Sequence, residues 1–85
     1  MIRGYKIKLD TIDKVKKFTS VIVTFENDID LILGRYLIDA KSIMGIFSLD
    51  LTKPLELIIR DATLSDITRL EKEVEEFRVD EDKNN

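Results

Sequence analysis

The spacing of apolar residues switches between two periods several times along this 85-residue chain, and that switching restricts the fold more than any single motif does. Tyr5-Lys6-Ile7-Lys8-Leu9 alternates apolar and polar, the period of a half-buried strand. The step then lengthens. Ile12, Val15, Phe18, Ile22 and Phe25 fall three or four apart on one helix face, with Lys14, Lys16 and Lys17 off it. Asp10 and Thr11 precede this run, and either can cap a helix. The β-branched Val21-Ile22-Val23 would pass for a strand on propensity, but the longer spacing favours helix.

Asn27-Asp28 marks a turn, and the short period returns at Ile29-Asp30-Leu31-Ile32-Leu33. Gly34-Arg35 separates this strand from a third, Tyr36 to Ile38, so the pair reads as a hairpin. Ser42 stands where a helix N-cap would be, before Ile43, Ile46 and Phe47 at i, i+3 and i+4. Met44 and Ser48 lie on a neighbouring side. This run is too short to be stable alone and must dock on something larger. Thr52-Lys53-Pro54 ends it, since Pro54 has no N–H to donate. Leu55-Glu56-Leu57-Ile58-Ile59-Arg60 is the most apolar strand and is expected at the centre of the sheet, followed by a turn at Asp61-Ala62. Thr63-Leu64-Ser65-Asp66 resembles a capping box with Asp in place of Glu. Ile67, Leu70, Val74 and Phe77 then give the cleanest amphipathic helix, with Asp66 in a first turn that suits the helix dipole. The order strand, helix, strand, strand, helix, strand, helix predicts an α+β open-faced sandwich, with helices on one face of a sheet.

A chain of this length builds one domain, burying about 60–65% of its unfolded surface in one modest core. Residues 1–79 are expected to form it. Asp80-Glu81-Asp82-Lys83-Asn84-Asn85 contains no apolar residue and is expected to be a disordered charged tail. Lys and Arg number 14 and Asp and Glu 17, and the formal charge of −3 argues against nucleic acid as the main partner. The chain has no Cys and no His, so a thiol nucleophile, a disulfide framework and a transition-metal site are not expected. It shows no run of about 20 apolar residues and no basic-then-apolar leader, so neither a membrane span nor a signal peptide is expected. Cytoplasmic residence is the corresponding expectation. No Ser-His-Asp set, Gly-rich phosphate loop or other catalytic constellation is present, so no enzyme activity and no cofactor are expected.

Lys41-Ser42-Ile43-Met44-Gly45, followed by Ile46-Phe47 and Ser48-Leu49, resembles the regulatory-serine helix of HPr. HPr is the small phosphocarrier protein of the bacterial sugar phosphotransferase system. The resemblance spans roughly Tyr5 to Phe77 and is concentrated between Lys41 and Leu51; elsewhere it rests on element order and length. Glu56 also matches the family pattern, whereas Pro54 and Asp50 stand where HPr commonly has Gly. The resemblance implies a four-stranded antiparallel sheet covered on one face by three helices.

The family's main chemistry does not carry over. The HPr loop before helix one carries Gly-x-His-x-Arg-Pro, and its histidine accepts phosphate. Here Asp10-Thr11-Ile12-Asp13-Lys14 occupies a shorter loop and lacks all of these residues. Asp10 and Asp13 would satisfy the helix dipole themselves and repel a phosphate. A histidine-less relative, the catabolite-repression HPr-like protein, keeps the serine. The resemblance therefore implies a regulatory protein-binding module with Ser42 as a phosphorylation site and Lys41, Ile43, Met44, Phe47 and Ser48 around it. Phe47 stands where the family often has Met. The implied partners are HPr kinase and a transcription regulator. Read from the residues alone, Ser42 is first an ordinary N-cap, and it is the resemblance that brings the regulatory reading level with it; its apolar neighbours are either partly exposed for a partner or all core. The corresponding alternative is a constitutive interaction or structural module with the HPr fold and no phosphorylation.

Overall fold

A computed structural model describes residues 1–79; the expected charged tail, residues 80–85, lies outside the described residues. The elements are β1 (Arg3–Ile7), α1 (Ile12–Ile22), β2 (Ile29–Leu33), β3 (Tyr36–Asp39), α2 (Ile43–Phe47), β4 (Leu55–Ile59) and α3 (Leu64–Val74), with a closing 3-10 turn at Glu75–Phe77. The strands pair antiparallel in the order β1-β4-β2-β3. The three α-helices cover one face, so the architecture is the expected open-faced sandwich.

Side-chain alternation decides which face is covered. Tyr5 and Ile7 of β1, Leu55, Leu57 and Ile59 of β4, and Ile29 and Leu31 of β2 point to the helices and are buried. The alternate residues Lys6 and Glu56 lie exposed on the other face. β4 is paired on both sides, the place its apolar run predicted. Phe18 and Ile22 of α1 meet Leu70 and Val74 of α3 in the same core. Phe18 packs edge-on against Phe77, with centroids 5.9 Å apart and ring planes at 85°. The capping box forms as read: the Thr63 hydroxyl accepts from Asp66 N–H at 3.0 Å, and the Asp66 carboxylate accepts from Thr63 N–H at 3.0 Å.

Several boundaries differ from the sequence reading. β1 ends at Ile7, because Lys8 N–H donates to the Phe77 carbonyl at 2.8 Å; Leu9 nevertheless reaches the core. The segment after the 3-10 turn runs beside β1, with Ile7 bridged to Arg78 and Val79 N–H donating to Lys6 O at 2.9 Å. α1 stops at Ile22. Phe25 is buried through a turn in which Thr24 and Phe25 donate to Val21 and Ile22 carbonyls. Ile12, expected on the buried face, is the first residue of α1 and is 62% exposed, among exposed neighbours in the opening turn. β3 extends one residue further, to Asp39. Glu76 is carried out of α3 by the 3-10 turn and pairs with Lys17 at 3.2 Å.

Candidate functional site

The α2 segment is held by its start and by one anchor. The chain leaves β3 through a turn in which Asp39 Oδ1 accepts from Lys41 N–H at 2.9 Å and Asp39 O accepts from Ser42 N–H at 3.0 Å. Ser42 is extended (φ −97°, ψ 101°), and its hydroxyl accepts from Gly45 N–H at 3.2 Å, so it caps the helix as read. Ile46 is the only residue of α2 fully in the core. Gly45 allows this depth: a Cβ there would lie 2.6 Å from Ile38 Cγ2 of β3 and 3.2 Å from Ser42 Oγ.

The choice left open by the sequence, core or partner surface, divides residue by residue. Ile43 is 36% exposed, Phe47 42% and Met44 79%, while Ile46 and, beyond the helix, Leu49 are buried. Ser48 is exposed and donates its hydroxyl hydrogen to Gly45 O. Ser42 and Lys41 are half-buried. Beside these residues runs an open groove of about 330 Å³ between α1 and α2, lined by Lys16, Thr19, Ser20, Val23, Lys41 and Ile43. Val23 adds a side chain that is 54% exposed to the same surface. Sequence reasoning misses this contribution of α1, because Val23 lies off the buried spacing and looks like an ordinary β-branched residue at a helix end. Thr19, though buried, is satisfied by its own helix, its hydroxyl donating to Val15 O at 3.0 Å.

The second region of interest is the start of α1. The Thr11 hydroxyl accepts from Lys14 N–H at 3.1 Å and caps the helix, settling the choice between Asp10 and Thr11. Asp10 instead pairs with Lys14 at 2.9 Å, and that bond holds its carboxyl below the usual range. Asp13 sits in the first turn. The Thr11 hydroxyl thus meets one N-terminal N–H of α1, and Asp13 places negative charge at the positive end of the helix dipole. Among the described residues no group of His, Cys, Asp or Glu is placed to hold a metal ion, and no helix is long and apolar enough to cross a membrane.

No protein-family model matches the chain, and no curated protein matches its sequence. Solved structures do match its fold. The phosphocarrier protein HPr from Bacillus anthracis str. Ames superposes with a TM-score of 0.67 at 19% identity, over 92% of this chain and 96% of that one. HPr-C-His from Thermoanaerobacter tengcongensis superposes with a TM-score of 0.64 at 20% identity, over 89% of this chain and 88% of that one. The class defined by sheet order and helix placement is the α+β open-faced sandwich. Within that class the fold is that of HPr, as the resemblance at Lys41 to Leu51 implied.

Proposed function

We propose that this chain is a non-catalytic, histidine-less HPr-like protein related to the phosphotransferase system. In this reading it acts by binding other proteins through α2 and its surroundings, switched by phosphorylation of Ser42. The observation that carries the reading is the combination found on α2. The stretch whose residue identities resemble the regulatory-serine helix also exposes its apolar side chains Ile43, Met44 and Phe47 beside the Ser42 hydroxyl. A helix that served only to close the core would need Ile46, and polar residues would serve better at the exposed positions. Phosphate on Ser42 would add about −1.5 to −2 charges at this edge of the patch. Lys41 and Lys16, both lining the neighbouring groove, supply nearby positive charge. A partner would read charge and apolar contact together. HPr kinase and a transcription regulator are the partners the resemblance implies.

The phosphocarrier reaction itself has no support here. The chain contains no histidine, and the start of α1 presents Asp10 and Asp13. The phosphotransferase system's first enzyme with phosphoenolpyruvate should leave the protein unlabelled.

One observation favours a second reading, a constitutive module. The Ser42 hydroxyl is already engaged as the α2 cap, which is reason enough to keep a serine there. Affinity capture separates the two. Wild type, Ser42→Asp and Met44→Asp/Phe47→Asp, all expected to fold because the altered positions are not in the core, are used as bait in native cell extract. The switched module predicts one partner set for wild type, a different set for Ser42→Asp, and loss of both with the double variant. Identical partners for wild type and Ser42→Asp, lost only in the double variant, would assign the constitutive module. Partners unaffected by the double variant would remove α2 as the binding surface.

A further inference from the structure

The two edges of the sheet differ. The edge at β1 is covered: Lys8 N–H donates to Phe77 O, Val79 N–H donates to Lys6 O, and Ile7 bridges to Arg78. Among the described residues β3 has no strand on its outer side. It is also an unusual edge. Such strands are commonly protected by lysine, proline or a bulge, whereas Tyr36 is 60% and Leu37 57% exposed.

The ladder fixes which backbone groups of β3 are free. Ala40 N–H donates to Ile29 O at 2.9 Å, and Asp30↔Asp39, Leu31↔Ile38, Ile32↔Leu37 and Leu33↔Tyr36 follow in register. Hydrogen-bonded and non-bonded pairs alternate in an antiparallel ladder. Tyr36, Ile38 and Ala40 therefore bond to β2, and Leu37 and Asp39 turn their N–H groups outward. Leu37 and Asp39 also project from the open face of the sheet, where Leu37 stands directly across from Ile32.

We propose that β3 pairs antiparallel with β3 of a second copy of this chain, about a twofold axis at Leu37, to make one continuous sheet across the dimer. In this register Leu37 exchanges both backbone bonds with its symmetry mate, and Asp39 N–H meets the partner's Arg35 carbonyl. The charges are self-complementary: Arg35 faces the partner's Asp39, and Asp39 faces the partner's Arg35. Both are exposed, and no salt bridge among the described residues includes either. Asp39 has particular need of a cation, because the residue opposite it in β2 is Asp30, whose own carboxylate is taken by Arg60. On the open face the two Leu37 side chains join Ile32 of each copy into one apolar stripe. On the other face Tyr36 comes opposite the partner's Ile38. The neighbouring register, centred on Ile38, places Leu37 against Asp39 and Arg35 against Lys41, so charge selects between the two. Because the other edge is covered, the pairing closes at two copies and does not propagate.

Sedimentation equilibrium of the full chain, from micromolar to millimolar concentration, tests the proposal with two charge reversals, Arg35→Asp and Asp39→Arg. Wild type is expected to be a concentration-dependent dimer. Each variant alone puts like charges opposite each other twice and is expected to be monomeric. In an equimolar mixture, a mixed pair sets the two substituted side chains opposite each other with opposite charges. The same pair sets the unaltered Arg35 of one copy opposite the unaltered Asp39 of the other. The mixture is therefore expected to dimerise again. Circular dichroism confirms that each variant is folded, and the recovered dimer in the mixture would itself exclude misfolding as the cause. A wild type that stays monomeric at millimolar concentration overturns the proposal and leaves the edge to a strand of another protein. A dimer that survives either reversal, or a mixture that fails to dimerise when both variants are folded monomers, overturns it as well.

Discussion

Replacing Gly45 with alanine sets two local effects of opposite sign against each other, and the structure decides which one wins. In a helix interior the change from Gly to Ala is worth about 0.5–1 kcal/mol in favour of Ala. The new Cβ would lie 2.6 Å from Ile38 Cγ2. Carbon atoms in contact prefer about 3.5–4.0 Å, so the overlap is on the order of 1 Å. Ile38 Cγ2 is bonded directly to a branched Cβ and cannot swing aside without a rotamer change. Relief must come from lifting α2 off β3 or shifting Ile38, and overpacking of this kind costs about 1–3 kcal/mol. The Ser42 Oγ, 3.2 Å from the same Cβ, would be pushed from its cap geometry by the same movement. The net expectation for Gly45→Ala is a loss of about 0.5–2 kcal/mol. In an Ile38→Ala background the overlap is removed, and Gly45→Ala should then stabilise by a few tenths of a kcal/mol to about 1 kcal/mol. Urea unfolding followed by far-ultraviolet circular dichroism reads all four members of this cycle. With a slope of about 1 kcal/mol/M, the midpoint of Gly45→Ala alone should fall by roughly 0.5–2 M. An increase in stability in the wild-type background, or the same change in both backgrounds, would refute the close-approach argument.

Further outcomes follow from the core and from titrating groups. Leu70 is fully buried between α3 and the sheet, so Leu70→Ala should lose about 2–5 kcal/mol by the same unfolding assay, and a loss under about 0.5 kcal/mol would show the helix face to be misplaced. The Tyr5 hydroxyl is pushed up to about 12 from 10.0, first by burial and then by its 2.8 Å bond to Glu71. A raised value means stability fully present below pH 10 and lost as pH climbs through about 12, and Tyr5→Phe should remove that alkaline loss in a pH series of melting curves. Asp66 is held below its usual range chiefly by the Thr63 N–H and then by Asn27. Its contribution is therefore present above the ordinary carboxylate range and lost as pH falls below it, and Asp66→Asn should flatten the acid limb of the same series.

The sequence specified the strands, the hairpin at Gly34-Arg35 and both caps at Thr63 and Ser42, because alternation and capping are local properties. The two errors at helix ends share one cause. The helical spacing runs on through Phe25 and through Phe77, but α1 ends at Ile22 and α3 at Val74. Both extensions end on a step of three, 22 to 25 and 74 to 77, and in both places the chain tightens into bonds three residues apart. A 3-10 turn keeps residues i and i+3 on one side, so it buries the same phenylalanine that a continuing α-helix would. Apolar spacing cannot tell the two apart. The site was legible in part. Ser42 as a cap follows from position, but Ile43, Ile46 and Phe47 share one side by spacing, and which of them is the anchor and which are exposed with Met44 depends on how deep α2 sits. That depth is set by the contact of Gly45 with Ile38, seven residues away on another element. The addition of Val23 to the same surface depends on how α1 lies beside α2, which no local pattern encodes.

The proposed switch at Ser42 is tested most directly by incubating the protein and its Ser42→Ala variant with HPr kinase and ATP, and reading intact mass. If α2 is a regulatory-serine helix, wild type should gain one phosphate per chain and Ser42→Ala, still folded, should gain none. A wild type left unmodified under conditions that fully modify HPr, or equal modification of both proteins, would contradict the assignment of Ser42 as the switch.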